Sequence, residues 1–155
     1  MRLLSILLVV VCLFACKSDP KSKYPKLDLM QYGFPLEIYA PEGAVVEKSD
    51  LGVMSDVTIK GEDGYYVQIF GSEATTTDAT AVKNAQLSDV KAGPYFSKVV
   101  EEYDDGFIYE RKIDERINYD FRLIKVQGDK EYIYQTGLVG TYSEQQVRDM
   151  MEAVR

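Results

Sequence analysis

Histidine and tryptophan are absent from this 155-residue chain, and cysteine occurs only twice. Without histidine the protein can form neither a Ser-His-Asp triad nor an imidazole metal site. A glycine-rich phosphate loop is missing as well, because Gly137 and Gly140 lie on or just after a predicted strand and lack the lysine of such a loop. These absences exclude most common enzyme classes, and the sequence indicates no metal ion and no cofactor.

Long hydrophobic runs are also missing. The longest one, residues 3–14, is broken only by Ser5, and it is shorter than the roughly 20 residues of a membrane-spanning helix. It follows Arg2 and is followed by the small residue Ala15, which is typical of a secretory signal peptide. The sequence Leu13-Phe14-Ala15-Cys16 resembles the lipobox of bacterial lipoproteins.

The lipoprotein resemblance implies that residues 1–15 are removed and that the Cys16 thiol carries a diacylglycerol. Lys17 follows the cysteine in place of the aspartate associated with inner-membrane retention, which implies the outer membrane, on either side. The alternatives are an ordinary signal peptide, an uncleaved anchor, or cleavage before Cys12, where Val11 suits the peptidase poorly. If Cys12 is removed and Cys16 is acylated, no thiol remains for a disulfide.

The segment after the lipobox is rich in lysine and proline. Residues 17–26 contain four lysines and two prolines without apolar periodicity. This composition predicts a flexible tether that, with its flanks, spans residues 16–32. Ten extended residues reach at most about 33 Å, so the domain would stay near its bilayer. The lysines either contact anionic head groups or only keep the tether solvated.

The rest of the chain is strongly acidic. Only five of the 18 Lys and Arg residues and one of the 25 Asp and Glu residues precede Leu27, which leaves a net charge of −11 beyond that point. Such a charge repels phosphate backbones. Nucleic acid is therefore excluded as a partner.

Residues 33–155 are predicted to form one α+β domain. Asp78 is expected to cap a helix that runs to about Lys91, and Ser143 with Gln146 forms a capping box for a C-terminal helix. A hairpin is predicted with Val57 opposite Val67 and Ile59 opposite Tyr65. The remaining strands are predicted at 34–39, 97–103, 107–113, 117–126 and 132–139.

The order of these elements resembles the PsbP/Mog1-like sandwich. That resemblance implies a single antiparallel β-sheet with the mid-chain helix and the C-terminal helix packed on it. Members of that group mostly act as binding or accessory subunits, so it also implies a binding role. Another α+β roll and a nuclear-transport-factor-like cone remain as alternatives.

The strands predicted between residues 97 and 139, which follow one another as a meander, suggest where a ligand could bind. With Ile113 opposite Ile117, one sheet face is predicted to be apolar and aromatic and the other charged and in solvent. Arg111 is the exception on the apolar face, where it either stacks on a tyrosine and receives an anionic ligand or extends to the rim. The candidate ligand-binding residues are Arg111, Tyr109, Tyr119, Phe121 and Tyr134.

Three functions follow from these patterns. The first is a non-enzymatic binding or accessory module, held in the envelope by its lipid and contacting an envelope protein. The second is a small-ligand carrier that uses the tyrosine-rich face. The third is a carboxylate-based hydrolase, for which the acidic pairs are Glu62-Asp63, Glu101-Glu102, Asp104-Asp105 and Asp114-Glu115.

Overall fold

The computed structural model describes residues 19–155. The predicted signal peptide and Cys16 lie outside the described residues. Within the described range, no helix is both long enough and apolar enough to cross a membrane.

The structure is α+β, as predicted. Seven antiparallel strands form the main sheet in the order β3-β4-β5-β9-β8-β7-β6, and β1 and β2 form a separate small sheet. The helices are α1 (Pro20–Lys23), α2 (Ala79–Ala92) and α3 (Glu144–Val154). The strands are β1 (Lys26–Asp28), β2 (Glu37–Tyr39), β3 (Val45–Asp50), β4 (Met54–Lys60), β5 (Tyr66–Glu73), β6 (Phe96–Glu102), β7 (Gly106–Ile113), β8 (Arg116–Gln127) and β9 (Lys130–Thr136).

The two long helices cover opposite faces of the main sheet. Val147 of α3 packs with Ile108 and Phe121 in the main core, on what we call the α3 face. Leu87 of α2 packs with Phe107 and Tyr109 in a smaller cluster, on what we call the α2 face. Neighbouring residues of a strand point to opposite faces, so Ile108 faces α3 while Phe107 and Tyr109 face α2. The structure therefore has three layers, with the main sheet between the two helices.

The predicted helix caps are confirmed. The Asp78 carboxylate accepts hydrogen bonds from the backbone N–H groups of Thr80 and Ala81, at 2.9 and 3.2 Å. Ser143 and Gln146 form the reciprocal capping box at the start of α3. Both caps satisfy N–H groups that the first helical turn leaves without partners.

Much of the predicted tether is folded. Asp19 caps the short helix α1, and Leu27 of β1 pairs with Ile38 of β2. The Tyr24 ring contacts the Tyr65 ring edge-on, with 5.6 Å between centroids. The prediction of a flexible segment is therefore wrong from residue 20 onward, because contacts with distant residues outweigh the local composition.

The first hairpin is shifted by two residues from its predicted register. Val57 lies opposite Ile69, and Ile59 lies opposite Val67. Tyr65 belongs to the turn, where its carbonyl accepts from Gly61 N–H at 2.8 Å. The side chains keep their predicted face, since a shift of two preserves the alternation.

The pairing of β7 with β8 also differs from its prediction, because its register is shifted by one residue. Ile113 pairs with Arg116, so the loop is the two residues Asp114 and Glu115, and Asp114 adopts a left-handed φ of 56°. Two residues are the commonest hairpin loop length. Because a one-residue slip exchanges the faces, Tyr109 lies opposite Asp120 instead of joining Phe121 on one face.

The structure has one strand that was not predicted, β3, and it places another, β2, outside the main sheet. β3 was not predicted and forms an edge of the main sheet beside β4. The strand predicted at 34–39 is β2, which pairs with β1 in the small sheet.

Candidate functional site

The five predicted ligand-binding residues do not share a face. Tyr109 and Arg111 lie on the α2 face, whereas Tyr119, Phe121 and Tyr134 lie on the α3 face. Phe121 and Tyr134 are fully buried in the main core. The tyrosine-rich wall expected from the sequence is therefore divided between the two sides of the sheet.

An open cleft lies on the α2 face, between the end of α2 and strands β6 to β8. Its volume is about 290 Å³. Polar groups enter it from two strands, β7 and β8, while the turn after α2 supplies Pro94 and Tyr95. The other lining residues are Gln86, Asp89, Val90, Gly93, Phe96, Tyr109, Arg111 and Arg122.

The buried carboxylate of Asp120 organises the floor of this cleft. Its Oδ2 accepts from the Tyr109 hydroxyl at 2.8 Å and from Arg122 Nη1 at 3.2 Å. Its Oδ1 accepts from the backbone N–H groups of Phe121 and Thr136 and from the Thr136 hydroxyl, at 2.8, 3.0 and 2.7 Å. Asp120 thereby joins β8 to the end of β9, and its oxygens are already occupied.

Arg122 is the arginine that stacks on Tyr109. Its guanidinium carbon lies 5.5 Å from the ring centroid, and Nη1 also donates to the Phe121 carbonyl at 2.9 Å. The sequence had assigned the stacking role to Arg111. The one-residue register shift explains the exchange, because it brings Arg122 onto the face of Tyr109.

Arg111 is held more loosely. Its Nη2 is 3.8 Å from Asp120 Oδ2, and its buried Nε makes no hydrogen bond with residues 19–155. A buried donor without an acceptor is uncommon in folded proteins. Arg111 therefore keeps a buried donor that no residue of 19–155 satisfies.

Charges of both signs surround the cleft. The Arg111 and Arg122 guanidinium groups lie close to the buried Asp120 carboxylate, and the exposed Asp89 is a further acidic residue of the lining. Burial, and then the nearby Asp120 carboxylate, raise the pKa of the Tyr109 hydroxyl. The phenol therefore stays protonated and acts as a donor to Asp120.

A row of polar side chains continues across the α2 face. Gln68 Nε2 donates to Asp56 Oδ2 at 2.9 Å, and Gln135 Nε2 donates to Gln68 Oε1 at 3.5 Å. All three residues are buried. The sequence predicted that the charged and polar face of the sheet lies in solvent. In the structure this face holds buried polar side chains that are hydrogen-bonded to one another.

The acidic pairs singled out in the sequence lie in ion pairs. Among residues 19–155, no three Asp, Glu, Cys or His side chains converge so as to hold a metal ion. At least one member of each pair has a cationic partner. The pairings are Asp63 with Lys23, Glu101 with Arg148, Glu102 with Lys83, Asp105 with Arg155 and Glu115 with Lys112.

Sequence reasoning missed Asp120 and Arg122 as parts of the site. Both were assigned to a solvent-exposed face. A two-residue loop at Asp114-Glu115 would have placed Asp120 opposite Tyr109, so loop length was the signal that could have identified them.

Comparison with protein-family models and with curated protein sequences gives no relative. No protein-family model matches the chain, and no curated protein matches its sequence. The function must therefore be argued from the cleft itself.

Proposed function

We propose that this protein is a lipid-anchored binding module of the cell envelope whose α2-face cleft receives a carboxylate. The observation that carries the binding role is the buried Arg111 Nε, which has no acceptor within residues 19–155. A carboxylate suits it because two oxygens match the donors of a guanidinium group. The ion pairs of the acidic residues favour this role over the hydrolase alternative.

The proposed anchor is a diacylglycerol on Cys16 in the outer membrane. The lipobox resemblance of residues 13–16 supports it. A carboxylate could then reach the cleft from an envelope protein, as an acidic side chain or a chain terminus, or from a free organic acid. Both sources present the same chemistry to Arg111.

Nuclear magnetic resonance on the ¹⁵N-labelled lipoprotein in detergent micelles tests the site. Sodium acetate, sodium benzoate and inorganic phosphate are titrated while the arginine Nε–H signals are followed. We expect the Arg111 signal to shift saturably with the carboxylates, because a new acceptor reaches its buried donor. Arg111→Met should abolish saturable binding, whereas Arg116→Met, at an exposed position of the neighbouring strand, should not.

A linear shift without saturation, or equal binding by Arg111→Met, would refute the carboxylate site. A crosslinking pull-down from native membranes separates the two sources. Recovery of one envelope protein with the wild type but not with Arg111→Met identifies a protein carboxylate. An organic acid released from the purified wild type alone, and detected by mass spectrometry, identifies a free ligand.

A further inference from the structure

Three structural elements line the α2-face cleft, and each contributes a different chemical character. The last two turns of α2 contribute polar and acidic side chains, the turn that follows α2 contributes apolar ones, and the sheet contributes arginines. The cleft volume of about 290 Å³ is just below the usual range of small-molecule sites, about 300–1,000 Å³. One small molecule can therefore contact all three walls.

The α2 wall is formed by one stripe of the helix. Asp89, Val90 and Gly93 follow Gln86 by three, four and seven residues, and this spacing places residues on one side of a helix. All four residues line the cleft. Asp89 is the acidic group of this stripe.

Asp89 carries the negative charge of the α2 wall. Among residues 19–155, its exposed carboxylate has no hydrogen-bond or ion-pair partner, although Arg111 and Arg122 line the same cleft. The C-terminal end of a helix carries a partial negative charge. Lys91, the basic residue of the last turn, is not among the lining residues. The α2 wall is therefore suited to a cation.

The other two walls are suited to an anion and to an apolar group. Arg111 Nε is buried and has no acceptor within residues 19–155, and a carboxylate matches the donors of a guanidinium group. Tyr95, in the turn after α2, is 52% exposed. Val90 and Phe96 beside it are half-buried against the small apolar cluster.

We propose that the ligand of the α2-face cleft is a free α-amino acid with an apolar side chain. Its carboxylate binds Arg111, its ammonium group binds Asp89, and its side chain packs against Tyr95. An α-amino acid carries these three groups on one carbon atom, which matches three different walls around one small cleft. This inference rests on the proposed carboxylate site.

Phenylalanine and 3-phenylpropionate test the ammonium contact, because both have the ring and the carboxylate and only phenylalanine has the amine. Each is titrated at pH 7 into the ¹⁵N-labelled lipoprotein in detergent micelles, and the Arg111 Nε–H signal reports carboxylate binding. We expect Asp89→Asn to weaken phenylalanine binding about two- to fivefold, the effect of one exposed ion pair, and not to weaken 3-phenylpropionate binding. Asp104→Asn, at an exposed acidic position outside the cleft, should change neither.

Tyr95→Ala tests the side-chain contact. We expect it to weaken phenylalanine binding about two- to tenfold, the range for one aromatic pair, and to leave glycine binding unchanged. Equal affinities of the wild type for glycine and phenylalanine would overturn the apolar side chain as part of the ligand.

The carboxylate site and the amino-acid ligand fail in different ways. If neither phenylalanine nor 3-phenylpropionate shifts the Arg111 signal saturably, the carboxylate site itself is refuted. If both compounds bind and Asp89→Asn weakens them equally or not at all, the carboxylate site stands and the amino-acid ligand is refuted.

Discussion

The two faces of the main sheet are both covered by a helix, yet they are filled differently. On the α3 face, Phe121, Tyr134 and Ile69 belong to one continuous apolar core. On the α2 face, the apolar cluster is small, and bonded polar groups such as Asp120 and Gln68 occupy the remainder. The difference predicts that stability resides mainly on the α3 face, whereas the α2 face has the open cleft and the Arg111 Nε that no residue of 19–155 satisfies.

Removing a core ring should produce the largest effect. We expect Phe121→Ala to lower the free energy of unfolding by about 3–5 kcal/mol, because a buried phenyl ring leaves a cavity. Urea denaturation at pH 7 measures the loss. Tyr95→Ala, at an exposed position, should change it by less than about 0.5 kcal/mol. A similarly small loss for Phe121→Ala would contradict its place in the core.

Asp120→Ala should produce the next largest effect. We expect a loss of about 3 kcal/mol, because the Tyr109 hydroxyl, Arg122 and the Thr136 donors would lose their acceptor. The same denaturation assay applies, with the exposed Asp104→Ala as the control. If both variants unfold alike, Asp120 does not organise the α2 face.

A charged group on the α3 face gives a smaller, pH-dependent effect. The Ser97 hydroxyl donates to Glu110 Oε1 at 2.8 Å. This hydrogen bond holds the pKa of the Glu110 carboxyl below its usual range; burial acts in the opposite direction, and Lys98 lowers the pKa further. The resulting stability is present above the unfolded-state pKa of about 4.3 and is lost as pH falls through the lower folded-state value.

Ser97→Ala tests this effect. We expect the substitution to lower the free energy of unfolding by about 1 kcal/mol at pH 7. The loss should be much smaller at acidic pH, where Glu110 is protonated in both the wild type and Ser97→Ala. Thermal melts at the two pH values measure the difference, and the exposed Ser49→Ala controls for loss of a hydroxyl. A cost independent of pH would show that the bond does not favour the charged carboxylate.

The smallest effect on stability should come from Arg111. Since its Nε has no partner within residues 19–155, Arg111→Met should change the free energy of unfolding by less than about 0.5 kcal/mol. Denaturation beside Asp120→Ala gives the comparison. A loss above about 2 kcal/mol would assign Arg111 a structural role and remove the basis of the proposed site.

The features that were predicted correctly depend on residues close together in the chain. The caps at Asp78 and Ser143 each need only a side chain and the N–H groups two or three residues later. Gly128-Asp129 is likewise a composition typical of a two-residue hairpin turn, and Gln127 lies opposite Lys130 across it. The α+β class followed from these elements and their order.

The errors arose where the outcome depends on distant contacts or on one residue of loop length. The composition of residues 114–116 does not distinguish a two-residue from a three-residue loop, yet that choice decided which face carries Tyr109. Nothing near Tyr24 in the sequence indicates its contact with Tyr65. The predicted ligand-binding residues are assigned to their two faces only by the pairing of β7 with β8 and of β8 with β9.

The first and last helices of the domain pack together: Lys21 of α1 lies 3.3 Å from Glu152 of α3. A chain that emerges from a ribosome or a translocation channel presents α1 long before α3. Helix α1 must therefore wait for its partner until residues 144–154 have appeared. Synthesis that stops before residue 144 would leave α1 without that support.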